Sequence, residues 1–145
     1  MYKRQVLKGI QDEKAAATAA AGDVAANKAR IDELSVKVKE IRTNLPTYYT
    51  KALEVDANNY DALYQMGAYY YNDAVEIKRQ VNGMDMNEYK KTGKDLEAKL
   101  AAKYHEALPF FERGYKVKKD EDLKEILKQV YRELKDEAKL AELEK

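Results

Sequence analysis

The chain has 145 residues, which is enough for one domain with a continuous core and too short for two independent domains of ordinary size. Its 27 Lys plus Arg are balanced by 26 Asp plus Glu, so no net electrostatic field favours binding to nucleic acid or to an anionic membrane. Charged residues make up 37% of the chain, two prolines and six glycines interrupt it, and cysteine is absent, which together favour long helices and exclude disulfides and thiolate chemistry.

The N-terminus has no apolar run of the secretion-signal type, and no segment approaches the roughly 20 apolar residues of a membrane span. We therefore expect a soluble chain, and a cytoplasmic and a periplasmic location fit equally well. Residues 2–5 (YKRQ) resemble the translation of a transposon end used in sequencing libraries, so one interpretation is a truncated N-terminus. The other is that these residues belong to an ordinary first helix.

The strongest periodic signal is a three-four alternation of apolar residues that predicts one long helix. Gly22-Asp23 is the expected break before it, with Asp23 as N-cap, and an Ala-rich helix should precede that break. Pro46 predicts a kink or a short discontinuity near residues 42–46. The apolar positions are Val24, Ile31, Leu34, Val38, Ile41, Leu45, Tyr48, Ala52 and Val55. The same spacing is also a heptad signature, so a coiled-coil or helical-bundle oligomer built on this stripe is an alternative.

Four further helices are predicted after this one. Residues 56–59 (DANN) indicate a turn, and the next helix should end near Asn82-Gly83. A polar stretch over residues 84–93 then separates it from a helix that runs to about Lys118 and contains a second proline. A C-terminal helix with a turn at Lys135-Asp136 and a short last helix complete the chain.

Two segments correspond to each other, because residues 45–56 (LPTYYTKALEVD) resemble residues 108–117 (LPFFERGYKV) and lie about 63 residues earlier. Each is followed by a polar turn and a helix. A helix pair of this kind cannot bury its apolar stripe alone, so neighbouring pairs must stack.

Residues 63–70 (LYQMGAYY) and 107–114 (ALPFFERG) resemble the two halves of the tetratricopeptide repeat. That family has W-x-x-L-G-x-x-Y on its first helix and A-x-x-x-F-x-x-A on its second. Gly67 and Tyr70 are the informative matches, and Gly67 should let the paired helix approach closely while Tyr70 and Phe111 fill the space between helices. The chain departs from the family by about 28 residues inserted between the two halves, which should lengthen both helices. Long inserts of this kind look like those of uncharacterised Bacteroidota repeat proteins.

The resemblance implies an all-α fold in which antiparallel helix pairs stack as a short α-solenoid with elongated helices. We expect a single domain over residues 1–145, with helix pairs at about 2–56 and 60–118 and a capping pair at 121–145.

The family binds peptides or proteins in a groove lined by the first helix of each pair. The resemblance therefore implies a non-enzymatic interaction scaffold with a protein or peptide partner. From the spacing around Gly67, the residues expected to face this groove are Asp61, Tyr64, Gln65, Ala68, Tyr71 and Asn72. Self-association into a homo-oligomer stays an alternative.

Catalytic and metal-binding interpretations have little support in the sequence. His105 is the only histidine and has no nucleophile nearby, so we predict no enzyme activity and no cofactor. Asp120, Glu121 and Asp122 lack the pattern of a calcium loop and predict a helix N-terminus instead. The lysines at 90–91 and 116–119 have acidic neighbours, which favours solvated helix faces over nucleic-acid contact.

Overall fold

A computed structural model of the chain describes residues 2–19 and 24–145. These residues form helices joined by short turns and contain no strand, so the predicted all-α class is confirmed. The elements are α1 (Tyr2–Ala19), α2 (Val24–Val55), α3 (Tyr60–Gly83), α4 (Met86–Glu88), a π-helical turn (Tyr89–Gly93), α5 (Lys94–Val117), α6 (Glu121–Glu133) and α7 (Glu137–Leu143).

The chain divides into two compact units, Met1–Tyr48 and Tyr49–Lys145. The expectation that residues 1–145 act as a single domain stays a prediction. The predicted break at Gly22-Asp23, with its N-cap, lies outside the described residues, whereas the helix expected before it is α1.

The first unit pairs α1 with the N-terminal part of α2 in antiparallel fashion. Glu13 forms an ion pair with Arg30, while Ile10, nearer the start of α1, lines a hollow of about 260 Å³ together with Ile41 of α2. Leu34 is the fully buried side chain of α2. The three-four stripe therefore buries part of its apolar surface within this unit.

Helix α2 continues through Pro46 for 32 residues, so the discontinuity predicted as one alternative near residues 42–46 is wrong, whereas the kink stays a prediction. Proline removes one backbone donor, which leaves the carbonyl of Arg42 without its usual helical partner. Arg42 is exposed, so solvent can satisfy that carbonyl without ending the helix. Helix α5 contains Pro109 in the same way.

The predicted turns are confirmed, and side-chain caps define the helices that follow them. Residues 56–59 separate α2 from α3, where the side chain of Asn59 accepts a hydrogen bond from the Ala62 amide at 3.0 Å. Asp120 caps α6 by accepting from the Leu123 amide at 3.1 Å, which confirms the helix N-terminus predicted there. Lys135, with a φ of 56°, forms the predicted turn before α7.

The stretch over residues 84–93 is largely helical, which corrects its interpretation as a polar separator. Asp85 forms a capping box with Glu88 and starts α4, and the π-helical turn then leads directly into α5. The ring of Tyr89 lies against Gly93, where a Cβ would come within 2.2 Å of it. Tyr89 also donates its hydroxyl to Glu97 at 2.9 Å, which ties the π-helical turn to α5.

The second unit is organised around the antiparallel pair of α3 and α5. Gly67 faces Phe111 and Tyr71 lies against Tyr104, so residue numbers rise along one helix as they fall along the other. A Cβ on Gly67 would lie 2.5 Å from two ring carbons of Phe111, which is fully buried. The expected close approach at Gly67 is therefore present, and Phe111 fills the space between the helices.

Helix α6 covers the same core and runs antiparallel to α5. Leu123, at its start, lies near Gly114 at the end of α5, and Tyr131 contacts Glu112. Helix α7 follows after a tight turn, and its Lys139 bonds Glu112 at 2.7 Å. The fully buried residues contributed by α6 are Leu123, Leu127 and Val130.

We expect Gly67→Ala to lower the free energy of unfolding by about 1–3 kcal/mol, because the new methyl group forces the buried Phe111 ring or the helix pair to move. Urea titration followed by circular dichroism measures this change. Gly83→Ala is the matched control, since nothing lies within 4 Å of a Cβ there. Its unfolding free energy should stay unchanged or rise by up to about 1 kcal/mol. Equal losses in the two variants would contradict the close contact.

Candidate functional site

The six groove candidates lie along α3 and differ in exposure. Asp61 and Asn72 are exposed, and Gln65 and Ala68 are partly exposed. These four residues therefore present polar or small side chains that a partner can contact. Tyr64 and Tyr71 are half-buried and belong to the rim of the core.

Tyr64 and Tyr71 both pack edge-on against Phe111. Each ring centroid lies 6.1 Å from that of Phe111, at interplanar angles of 62° and 70°. Tyr71 also contacts Tyr104, and burial raises the pKa of its hydroxyl. Much of the surface of both rings is thus buried within the α3–α5 pair. Only one edge of each ring stays exposed to a partner.

The other two tyrosines of the YYY run extend the aromatic contacts on a different side of α3. Tyr70 stacks on Phe110, with ring centroids 6.1 Å apart and an interplanar angle of 14°. Tyr69 meets Tyr70 edge-on at 5.3 Å, and Lys103 lies 5.5 Å over the Tyr70 ring. Three consecutive tyrosines therefore point to three environments, as their helical spacing requires.

A buried tyrosine lies near a partly exposed ion pair where α3, α5 and α6 meet. Tyr104 is 1% exposed, and its hydroxyl has no hydrogen-bond partner among the described residues. Burial raises the pKa of Tyr104 to about 12, with smaller contributions from Glu133 and Tyr71. Glu133 is held by an ion pair with Lys78 of α3, which joins α3 to α6.

A second candidate surface, which the sequence did not reveal, is a cleft of about 460 Å³ between α5, α6 and α7. We call it the basic cleft, because five of its lining residues are lysines. They come from α5, the loop after it, α6, α7 and residue 145, and only Lys116 and Lys119 belong to a lysine cluster that is visible in the sequence. The lining residues are Glu112, Tyr115, Lys116, Lys119, Lys124, Leu127, Tyr131, Lys139, Glu142, Leu143 and Lys145.

The basic cleft changes the interpretation of residues 116–119. Lys118 has the acidic neighbour that was expected, with Asp120 at 3.9 Å. Lys116 and Lys119 instead line the cleft, and neither has an acidic group within 4.0 Å among the residues that the structure describes. The sequence shows these lysines beside Tyr115, but their meeting with Lys124 and Lys139 depends on tertiary contacts.

The residues considered for catalysis or metal binding do not form a centre. His105 is exposed on α5, and within residues 2–19 and 24–145 no group of three or more His, Cys, Asp or Glu is arranged to hold a metal ion. Asp120 acts as the cap of α6.

Comparisons with protein-family models, with curated proteins and with solved structures find no match to this chain. Within the described residues, none of the helices combines the length and the apolar character needed to cross a membrane.

Tyr104→Phe and Tyr131→Phe form a matched pair that tests the polar contacts of this core. Removing the unpartnered Tyr104 hydroxyl should leave the free energy of unfolding unchanged or raise it by about 1 kcal/mol. Removing the Tyr131 hydroxyl, which donates to Glu112 at 2.8 Å, should lower it by about 1–2 kcal/mol. Thermal and urea unfolding measure both. A larger loss for Tyr104→Phe than for Tyr131→Phe would contradict these contacts.

Alkaline pH provides a second test of Tyr104. Its folded pKa of about 12 exceeds the ordinary value near 10, so the unfolded state loses the proton first and stability falls as pH rises from 10 to 12. The Tyr104→Phe variant has no hydroxyl group at this position, so it has no titration there. The stability of the variant relative to the natural chain should therefore increase by up to about 2 kcal/mol between pH 9 and pH 12. If the free energies of unfolding of the variant and the natural chain, measured by urea titration, changed with pH in parallel, the Tyr104 hydroxyl would not be buried in its neutral form.

Proposed function

We propose that the chain is a non-enzymatic interaction scaffold that presents the exposed face of α3 to a peptide or a protein. The observation that carries the proposal is the close contact between Gly67 and Phe111, because it pairs α3 with α5 as the tetratricopeptide-repeat resemblance implies. Helix α6 is antiparallel to α5, and in this proposal we assign it to the position of the next first helix. A short α-solenoid of this kind is part of the proposal.

The exposed face of α3 supports a binding role through its composition. Asp61 and Asn72 are exposed near its two ends, Gln65 and Ala68 lie between them, and the edges of Tyr64 and Tyr71 border it. Polar groups beside partly exposed aromatic rings suit recognition of a polypeptide, where hydrogen bonds give orientation and aromatic edges give contact area.

Variants of exposed residues test this surface without disturbing the core. Tyr71→Ala is unsuitable, because its ring contacts Tyr104 and Phe111. We expect Asp61→Arg combined with Asn72→Arg to weaken binding of peptides selected from a random phage-displayed library by about tenfold, since both changes place long cations on the proposed contact face. Fluorescence anisotropy with the selected peptides measures the affinity.

Glu54→Arg combined with Gln129→Arg is the control for that experiment, because both residues are exposed and the change in net charge is the same. The control should bind as the natural chain does. If the selected peptides bound both double variants with equal affinity, the α3 face would not be the binding surface.

The alternative function is a structural oligomer, formed by a coiled coil or helical bundle on the α2 stripe. The observation that favours it is the exposure of large apolar residues along α2, with Val24 81% and Val55 91% exposed. Ile31 and Val38 are half-buried, so the stripe has apolar surface left to bury against a second copy.

Light scattering over a hundredfold concentration range separates the two functions. We expect a monomer throughout, since the scaffold needs no second copy. A dimer that dissociates with Val38→Asp would instead support the α2 stripe as an oligomer seam. Val36→Asp is the control, because Val36 lies on a different face of α2 and is already 66% exposed.

A further inference from the structure

The basic cleft has an excess of positive charge that the chain itself does not neutralise. Five lysines and two glutamates line it. Lys139 is matched to Glu112, with its Nζ 2.7 Å from Oε1. Lys116, Lys119, Lys124 and Lys145 have no acidic group within 4.0 Å in the described part of the chain. This local excess contrasts with the nearly neutral charge of the whole chain.

Internal contacts offset the negative charge of Glu112, one of the two glutamates in the lining. Glu112 accepts hydrogen bonds from both Tyr131 Oη at 2.8 Å and Lys139 Nζ at 2.7 Å. A carboxylate with two donors is already satisfied and repels an incoming anion less than an unpaired one does. Glu142 is then the one acidic residue of the lining without an ion pair in the described part of the chain.

Aromatic rings hold two of the lysines over the cleft. Lys119 Nζ lies 4.3 Å from the centroid of the Tyr115 ring, and Lys139 Nζ lies 5.6 Å from that of Tyr131. Such cation–π contacts restrict long side chains that would otherwise sample many rotamers. Binding of a ligand therefore costs less conformational entropy, because these two lysine side chains are already restricted.

The cleft also has an apolar part. Leu127 is fully buried, and Leu143 and Tyr115 are partly exposed beside it. The volume of about 460 Å³ falls in the range of small binding sites and is open to solvent. A suitable ligand therefore combines an apolar group with negative charges on both sides of it.

We propose that the basic cleft binds an acidic peptide segment in which one large apolar side chain packs against Leu143 and Tyr115, above the buried Leu127, and flanking carboxylates meet the lysines. This binding site is separate from the exposed face of α3, and the two sites share no residue.

The lining of the cleft favours carboxylates over nucleic acid. No arginine lines it, and the first turn of α6 carries Glu121 and Asp122, so the forked donors and the free helix N-terminus that phosphates prefer are lacking in the cleft. Lysines arranged around one apolar hollow also differ from the extended basic track that follows a phosphate backbone. Carboxylates need only point charges within reach, which lysines supply.

The test uses the whole chain and a short fluorescein-labelled peptide that has one leucine between two pairs of glutamates. A second peptide has serine in place of the leucine. The cleft variant combines Lys116→Gln, Lys119→Gln and Lys124→Gln. The matched control combines Lys90→Gln, Lys91→Gln and Lys99→Gln, which are exposed lysines outside the cleft with the same total charge. Circular dichroism checks that each variant is folded.

We expect fluorescence anisotropy to detect binding of the leucine peptide to the natural chain and to the control with equal affinity. The cleft variant should bind it about tenfold more weakly, because three charge pairs are lost. Binding should weaken with added salt, and the serine peptide should bind more weakly than the leucine peptide.

Three outcomes would overturn the proposal: no binding to the natural chain at low salt, equal binding by the cleft variant, or an equal loss in the control. Displacement of the peptide by a single-stranded oligonucleotide of equal charge, at equal affinity, would also overturn it by making the cleft a general polyanion site. Asp61→Arg with Asn72→Arg should leave peptide binding at the cleft intact, so failure of the α3 surface and failure of the cleft are distinguishable.

Discussion

The contact between Gly67 and Phe111 is the constraint on which the second unit depends. The absence of a side chain on α3 lets the fully buried ring of α5 come so close that even a methyl group would overlap it. Once these two helices are joined there, Tyr64 and Tyr71 close around the same ring at 6.1 Å. Helix α6 adds Leu123, Leu127 and Val130 to the same core. The exposed faces of these helices are the surfaces that do not take part in this core.

The two candidate binding surfaces differ in how they arise from that core. The α3 face is a product of a single helix, because residues three and four apart point the same way. The basic cleft requires three helices, since Glu112 of α5 must meet Tyr131 of α6 and Lys139 of α7 before the cleft lysines surround one hollow. Helices α3 and α5 have 24 residues each, and Lys103 of α5 lies 3.9 Å from Asp73 of α3 in this antiparallel pair.

The sequence predicted the helices where the signals were local. The turn at residues 56–59, the turn before α7 and the cap at Asp120 each follow from turn or capping residues beside a periodic stripe. The pairing of Gly67 with Phe111 followed from a motif. The predicted discontinuity at Pro46 is absent because an exposed helix tolerates one missing backbone bond, and residues 84–93 are largely helical because Asp85 and Glu88 form a capping box that starts a new helix. The basic cleft was not predictable, since its lysines come together only through tertiary contacts.

Proton NMR of the purified chain tests the close contact most directly. If Gly67 lies against the face of the Phe111 ring, one Gly67 Hα resonance should move upfield through the ring current and give strong nuclear Overhauser effects to the Phe111 ring protons. This result would establish the helix pair that carries the α3 face. A Gly67 Hα at its ordinary position, without such effects, would mean that α3 and α5 meet differently, and would contradict the account given for the core of the second unit and for the α3 face.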